Sequence, residues 1–328
     1  MKLTFLGTSA GKPTRERNLS AIALEFDQDN KWYLFDCGEA TQFQLMKSKL
    51  SIGKLDSIFI THLHGDHFYG LPGLLASKKM DEALKPLTLY GPKGIRKFID
   101  CMLDVSQREI GYPLTIIEYE DNQEFVFDKF TVKVLPLVHS IESVAFYIQE
   151  NDISNKLDEA KLREIGLEPS PLYGELKKGK TVTFEGKTLN PKEFMLEPIK
   201  GKRIIISGDN AKPDIMGEYL RDLDLLVHEC TYTQEVYDNL KVEILHTTSK
   251  DLGVAASKFG VKNLIATHIS PRYHKDGKFT IRMIEDEIKE SYDGNLFIAN
   301  DLDVFTLNAN KISYFHTQPK IVQLHQKT

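Results

Sequence analysis

The segment Thr61-His-Leu-His-Gly-Asp-His67 sets four metal-capable side chains, His62, His64, Asp66 and His67, within six residues. It follows directly on the β-rich run Ser57 to Thr61, so His62 and His64, two apart on an extended backbone, point to the same side. Gly65 then permits a sharp turn that brings Asp66 and His67 round beside them. Imidazole and carboxylate without thiolate favour Zn(II), with Mn(II) or Fe as substitutes. Four further histidines, His139, His228, His246 and His268, sit at or just beyond the ends of predicted strands or helices, and Asp209 does so within Ser207-Gly-Asp-Asn210. Strand ends converge on one rim of a sandwich, so His62, His64, Asp66, His67, His139, Asp209 and His268 can meet there, enough for two cations. Such a pair lowers the pKa of a bound water to about 7 and neutralises charge on phosphoryl oxygens during in-line attack. His274, His316 and His325 are assigned to the surface.

The elements that must position these residues are short and mixed. Runs rich in Val, Ile, Phe and Tyr predict strands at Leu3 to Leu6, Ala21 to Phe26, Trp32 to Asp36, Ser57 to Thr61, Leu87 to Tyr90 and Phe125 to Val138. A second set covers Val144 to Ile148, Arg203 to Ser207, Leu223 to His228, Leu264 to His268, Asn295 to Ala299 and Asp303 to Leu307. Helical spacing marks Thr41 to Ser48, Gly70 to Ala83, Gly94 to Ser106, Lys212 to Leu220, Ser249 to Phe259 and Ile281 to Ser291. Grouped strands with helices interspersed suit two packed sheets flanked by helices, an α/β (α+β) arrangement, better than strict βαβ alternation. Residues 1–150 and 199–310 then form two halves of one body. Between them, 151–198 is highly charged, interrupted by Pro169, Pro171, Gly174, Gly179 and Gly186, and carries a basic cluster at Lys177, Lys178 and Lys180. It is expected to be an inserted arm, with a short helix around Leu157 to Ile165 and a turn-rich stretch Glu168-Pro-Ser-Pro-Leu-Tyr-Gly174. The segment 311–328 is expected to be a patternless tail.

The composition sets outer bounds. A chain of 328 residues with 41% hydrophobic content has ample material for a core, and its ordinary Gly and Pro levels exclude a disordered or collagenous protein. Three scattered cysteines, Cys37, Cys101 and Cys230, make neither a disulfide framework nor a four-cysteine zinc site. No apolar run approaches the roughly 20 residues of a membrane span, and Met1-Lys-Leu-Thr-Phe-Leu-Gly7 is too short for a signal-peptide core, so the expected location is the cytoplasm, with no membrane partner. The formal charge of -5 argues weakly against nucleic acid as a partner, although a local basic patch can suffice.

The motif His-x-His-x-Asp-His after a strand, followed by a distant His, an Asp and a final His, resembles the metallo-β-lactamase superfamily. More closely, the chain is similar to bacterial tRNase Z. The resemblance runs through Phe5-Leu-Gly-Thr-Ser-Ala-Gly-Lys-Pro-Thr14, Arg17-Asn-Leu-Ser20, Phe35-Asp-Cys-Gly-Glu39, Thr61 to His67, Gly70-Leu-Pro-Gly-Leu-Leu75, Gly91-Pro92 and Thr267-His-Ile-Ser-Pro-Arg-Tyr273. It implies an αββα sandwich with two Zn(II) per subunit: His62, His64 and His139 on one, Asp66, His67 and His268 on the other, Asp209 bridging. It implies also that Glu229 pairs with His246 as a proton-donating couple.

The implied activity is endonucleolytic trimming of precursor tRNA at its 3′ end, leaving a tRNA 3′-OH and a 5′-phosphorylated trailer. Asp66 would orient the nucleophile or accept its proton, and His246 would protonate the leaving ribose oxygen. The arm would be an exosite for the tRNA elbow, serving the active site of a partner in a homodimer, with Lys177, Lys178, Lys180 and Tyr173 as candidate contacts. Arg17 and Arg272 are candidate phosphate contacts near the site. The chain departs from the family at Ala40, where Gly is usual, at Cys230 and Thr247, where Ala and Ser are usual, and at Ser170-Pro171, where Gly-Pro is usual. A phosphodiesterase of small or cyclic substrates is the alternative, since the same metals would hydrolyse any diester that reached them.

Overall fold

The computed structural model describes every residue except 28, 108, 155, 243, 275, 309–311 and 317–328. An eight-stranded sheet runs in the order Ile312–His316, Asp303–Leu307, Lys2–Gly7, Ala21–Glu25, Trp32–Phe35, Leu55–Phe59, Leu87–Gly91, Leu114–Glu118. A seven-stranded sheet runs Asn295–Ile298, Asn263–Thr267, Leu225–Glu229, Arg203–Ser207, Val144–Glu150, Phe130–Pro136, Glu124–Val126. The side-chain period of two explains the layering. In Trp32–Phe35, Trp32 and Leu34 join a cluster with Leu45, Leu71, Leu74 and Ile95 of the helices on the outer face. Phe35 points the other way, stacking on Phe59 at 5.0 Å and meeting Phe146 of the second sheet at 5.6 Å. The second sheet repeats the pattern: Ile205, Leu226, Leu264 and Ala266 pack under Leu252, Ala256, Ile284 and Ile288 of its own helices. Two sheets face each other through aromatic side chains, and each carries helices on its other face.

The strands Trp32–Phe35, Leu55–Phe59 and Leu87–Gly91 are mutually parallel, as are Arg203–Ser207, Leu225–Glu229 and Asn263–Thr267. Parallel strands end together, and the crevice beyond their carboxyl ends is the usual place for a ligand in open sheets. Two glycines let the segments there approach closely. A Cβ on Gly70 would lie 2.0 Å from the Gly38 carbonyl oxygen, and one on Gly208 would lie 2.6 Å from Thr61 Cβ. Neither neighbour is a flexible side-chain end that could swing away.

Several expected elements differ. Phe125 to Val138 is not one strand but two, joined by a turn in which the Phe127 N–H donates to the Phe130 carbonyl at 2.9 Å. Gly65 opens a short helix, Gly65–Phe68, rather than a simple turn. The stretch read as a turn at Pro171 is the helix Pro171–Lys177, because proline at the first helical position lacks only an N–H that would be unpaired there anyway. Within 311–328, Ile312–His316 form an edge strand paired antiparallel with Asp303–Leu307; the rest of the expected tail lies outside the described residues. Ala40, where the related family usually has Gly, takes a left-handed backbone with φ 59° just before the helix Thr41–Lys47. That conformation costs a residue with a Cβ about 1–2 kcal/mol and costs glycine almost nothing, which accounts for the usual residue.

Two compact units are present. The first comprises Met1–Phe125, Val132–Ile148 and the described residues from Arg203 onward. The second comprises Val126–Thr131 and Gln149–Lys202. It contains the helices Glu159–Glu164, Pro171–Lys177 and Pro191–Phe194 and the hairpin Val182–Phe184/Lys187–Leu189. Leu157, Leu162, Leu167, Tyr173, Leu176 and Phe194 form an apolar cluster of its own. The Asp158 side chain caps its first helix by accepting from the Lys161 N–H at 3.0 Å.

Candidate metal centre

Thr61, His62 and His67 of the motif are held by their neighbours on the rim. The Asp36 carboxylate, just past the end of Trp32–Phe35, accepts from the Thr61 N–H at 2.8 Å, the Thr61 hydroxyl at 3.0 Å and His67 Nδ1 at 2.7 Å. His62 Nδ1 lies 3.0 Å from the Thr61 hydroxyl, His139 Nδ1 donates to the Leu245 carbonyl at 2.7 Å, and His268 Nδ1 lies 3.0 Å from the Thr231 hydroxyl. With Nδ1 engaged in all four imidazoles, Nε2 is the nitrogen left facing inward. Fixing the outer nitrogen in this way is how proteins orient histidine ligands. His268 carries a left-handed backbone at φ 55°, a strain that residues adopt where the surrounding structure holds them for function.

The inward atoms converge on two points. His62, His64, His139 and Asp209 can present ligand atoms within 4.8 Å of one another, and so can Asp66, His67 and His268, as can the overlapping trio Asp209, His246 and His268. Asp209 stands between them. Its Oδ2 is 3.6 Å from His62 Nε2 and 3.8 Å from His139 Nε2, while its Oδ1 is 3.4 Å from both His67 Nε2 and His268 Nε2. These gaps are long for hydrogen bonds. They match the separation of about 3.4 Å expected between two ligand atoms each about 2.1 Å from a shared tetrahedral ion. Two buried atoms of the cluster, His62 Nε2 and Asp209 Oδ1, have no hydrogen-bond partner. Leaving them so would cost about 1–3 kcal/mol each, and a cation at each point removes that cost. The donor set therefore fits divalent metal.

The electrostatics differ between the two sets: His67, beside the Asp209 and Asp36 carboxylates, is lifted well above the ordinary histidine value although burial opposes it. Burial pushes the titration of His62, His64 and His139 below the ordinary histidine value, which keeps them in the neutral form that binds metal. Burial alone would raise Asp66, but its hydrogen bond with His268 and the nearby His67 outweigh this and hold the carboxyl below its usual range. The Gly11 N–H also donates to Asp66 Oδ2 at 2.7 Å.

Beside the cluster, Glu229 is buried and accepts from His246 Nδ1 at 3.0 Å, the Asn210 N–H at 2.9 Å and the Thr247 N–H at 3.2 Å on one oxygen. Thr231 donates to its other oxygen at 2.5 Å. Burial would lower His246, but the charge and hydrogen bond of Glu229 override it and lift the imidazole to about 9. His246 is thus a protonated group near neutral pH, with its ring 5.2 Å from that of His139 and 5.5 Å from that of His268. A chain of contacts, His268 to Thr231 to Glu229 to His246, ties the couple to the inner site.

Not every candidate lies here. Arg17 is buried, its guanidinium donating to the Thr8 hydroxyl and the Ala299 carbonyl, each at 2.6 Å, and to Asn300 Oδ1 at 2.8 Å. Its donors are committed to the protein, which corrects the expectation of a phosphate contact. Tyr173, expected to meet RNA, is a core residue of the second unit with its hydroxyl donating to the Leu167 carbonyl at 2.8 Å. Lys177, Lys178 and Lys180 are exposed, the last two bridged to Glu175 at 3.0 and 2.7 Å. Arg272 is exposed, 6.0 Å from the centre of the Tyr232 ring. His228 is buried and bonded to the Glu229 carbonyl at 2.7 Å and to Asn210 at 3.2 Å. His274 is exposed, His316 is half-exposed and 2.6 Å from Asp303, and His325 lies outside the described residues. Asp36 and Thr231 were not anticipated as supports. Asp36 does share the signal of the ligands, a polar residue immediately after a predicted strand.

A model of the family described as "Anti-Pycsar protein Apyc1" matches residues 1–159. Ribonuclease Z of Bacillus subtilis (strain 168) is 41% identical over 284 residues, covering 86% of this chain and 92% of that protein. Ribonuclease Z of Bacillus anthracis is 42% identical over 315 residues, covering 94% of this chain and 100% of the other. The chain belongs to the ribonuclease Z family. The human short-form tRNase Z structure, 28% identical, superposes with a TM-score of 0.65 over 94% of this chain and 100% of that one. The Bacillus subtilis metallo-β-lactamase fold protein YhfI, 19% identical, gives the same TM-score over 92% of this chain and 98% of its own. The chain has the metallo-β-lactamase fold of that protein, which agrees with the two helix-flanked sheets described above.

Proposed function

We propose that this protein is a zinc-dependent endoribonuclease that cuts precursor tRNA at its 3′ end, leaving a tRNA 3′-OH and a trailer with a 5′ phosphate. The observation that carries the reading is the Asp209 carboxylate, with one oxygen towards His62 and His139 and the other towards His67 and His268. His62, His64 and His139 would hold one Zn(II) and Asp66, His67 and His268 the second, with Asp209 shared; Mn(II) would substitute. Bound there, the cations supply Lewis acidity, acidifying water and neutralising phosphoryl charge. Asp66, fixed by Gly11, orients the attacking water or accepts its proton. His246 gives its proton to the departing ribose oxygen, and Glu229 keeps that proton in place until it is needed.

Substrate choice is assigned to the segment 151–198, as an exosite gripping the tRNA elbow through Lys177, Lys178 and Lys180, with Arg272 contacting phosphate near the centre. A second copy of the chain is the proposed partner. Apolar side chains left bare support it: Met46 is 80% exposed, Met80 69% and Leu84 54%, and together they line a groove of about 730 Å³. Among the described residues no helix is long and apolar enough to cross a membrane, and the proposed place of action is the cytoplasm. Replacing 151–198 by a short Gly/Ser linker tests the division of labour. Hydrolysis of a small chromogenic diester should persist while pre-tRNA cleavage is lost; equal loss of both activities would refute the exosite.

A further inference from the structure

A partly buried carboxylate outside the metal centre ties the two ends of a loop beside it, with one further bond to Gln44 of the helix Thr41–Lys47. Asp301 accepts from the Thr8 hydroxyl at 2.8 Å on Oδ1, and from the Asn18 N–H and Gln44 Nε2, both at 2.6 Å, on Oδ2. Thr8 and Asn18 are the two ends of a loop closed on itself, since the N–H groups of Thr8 and Ser9 both donate to the Asn18 carbonyl. Arg17 reinforces the closure by donating to the same Thr8 hydroxyl. From this loop, contacts reach two of the three groups of one metal set. The Gly11 N–H donates to Asp66 Oδ2, and the backbone of Thr8 and Ala10 brackets Ile269, the residue after His268, with bonds of 2.9 and 3.1 Å. The other set, His62, His64 and His139, has its outer contacts elsewhere, on Thr61 and on Leu245.

We propose that Asp301 is a positioning residue for the metal held by Asp66, His67 and His268, acting through the loop Thr8–Asn18 and leaving the His62, His64 and His139 set unaffected. The position is maintained at an electrostatic cost: burial outweighs the donors and lifts the Asp301 carboxyl to about 6. A group held against its own solvation is expected where position matters more than stability. The inference rests on the two-cation reading above.

Zinc equivalents retained in competition with a graded chelator test it on the purified full chain. The wild-type protein should hold two equivalents. Asp301→Asn keeps the shape of the side chain and turns one acceptor into a donor, so one equivalent should be released at roughly 10- to 100-fold lower chelator strength, the usual cost of losing an outer support, while the other is held as in the wild type. Should that variant not fold, Thr8→Val and Thr8→Ser report on the same link: valine should loosen one equivalent, and serine, which keeps the hydroxyl, should restore it. Fewer than two equivalents in the wild type would overturn the two-cation reading and this inference with it. Two equivalents in the wild type, with release unchanged in the variants or with both equivalents loosened together, would overturn this inference alone.

Discussion

Asp209→Ala is expected to release both cations and to abolish cleavage. The carboxylate faces both sets, and it is buried among imidazoles: burial opposes ionisation, yet His268, His67 and His62 hold its carboxyl well below the usual range, so it stays an anion. Alanine would leave the inward nitrogens of His62 and His139 with no carboxylate between them and those of His67 and His268 with Asp66 alone, a condition that disfavours both cations. Metal catalysis of this kind contributes several kcal/mol, so the fall in turnover should exceed about 1,000-fold at 1.36 kcal/mol per tenfold. Elemental analysis checks the metal: two full equivalents in the purified variant would contradict the shared role of Asp209.

His246→Ala should act differently, keeping two equivalents of metal while slowing turnover by roughly 100- to 10,000-fold, the range for a lost general acid. Glu229→Gln separates proton supply from structure. The protonated form is the active one, and Glu229 lifts His246 to about 9, so the wild-type rate should hold through neutral pH and fall only in the alkaline range. Removing the charge of Glu229 lets burial reassert itself, and the descending limb should move to lower pH. An unchanged rate in His246→Ala, or a descending limb that stays in place in Glu229→Gln, would remove the couple from the mechanism.

The convergence of the candidate ligands is legible in the sequence because the motif is local at one place. His62, His64, Asp66 and His67 are so close in sequence that a strand followed by a tight change of direction leaves little choice of geometry. His139, Asp209 and His268 could be added because each follows a strand, and strand ends converge on one rim of a sandwich. What a linear reading does not contain is which side chains are already committed. Arg17 is a cation within reach of the motif in sequence, but its burial comes from Ala299 and Asn300, more than 280 positions away. Tyr173 sits beside a lysine run, but the helix Pro171–Lys177 turns it inward. Asp36 depends on the register of Trp32–Phe35 against Leu55–Phe59, which sets its carboxylate opposite Thr61. Periodicity reveals an element; it does not reveal the element across from it.

The most direct measurement is cleavage of one 3′-extended precursor tRNA, with the cut mapped, by protein stripped with a strong chelator and then reloaded with Zn(II). The stripped protein should be inert, and the reloaded protein should release a trailer from a single position at the 3′ end of the tRNA body. Scission that survives stripping, or a reloaded protein that leaves the precursor whole, would contradict the proposed reaction.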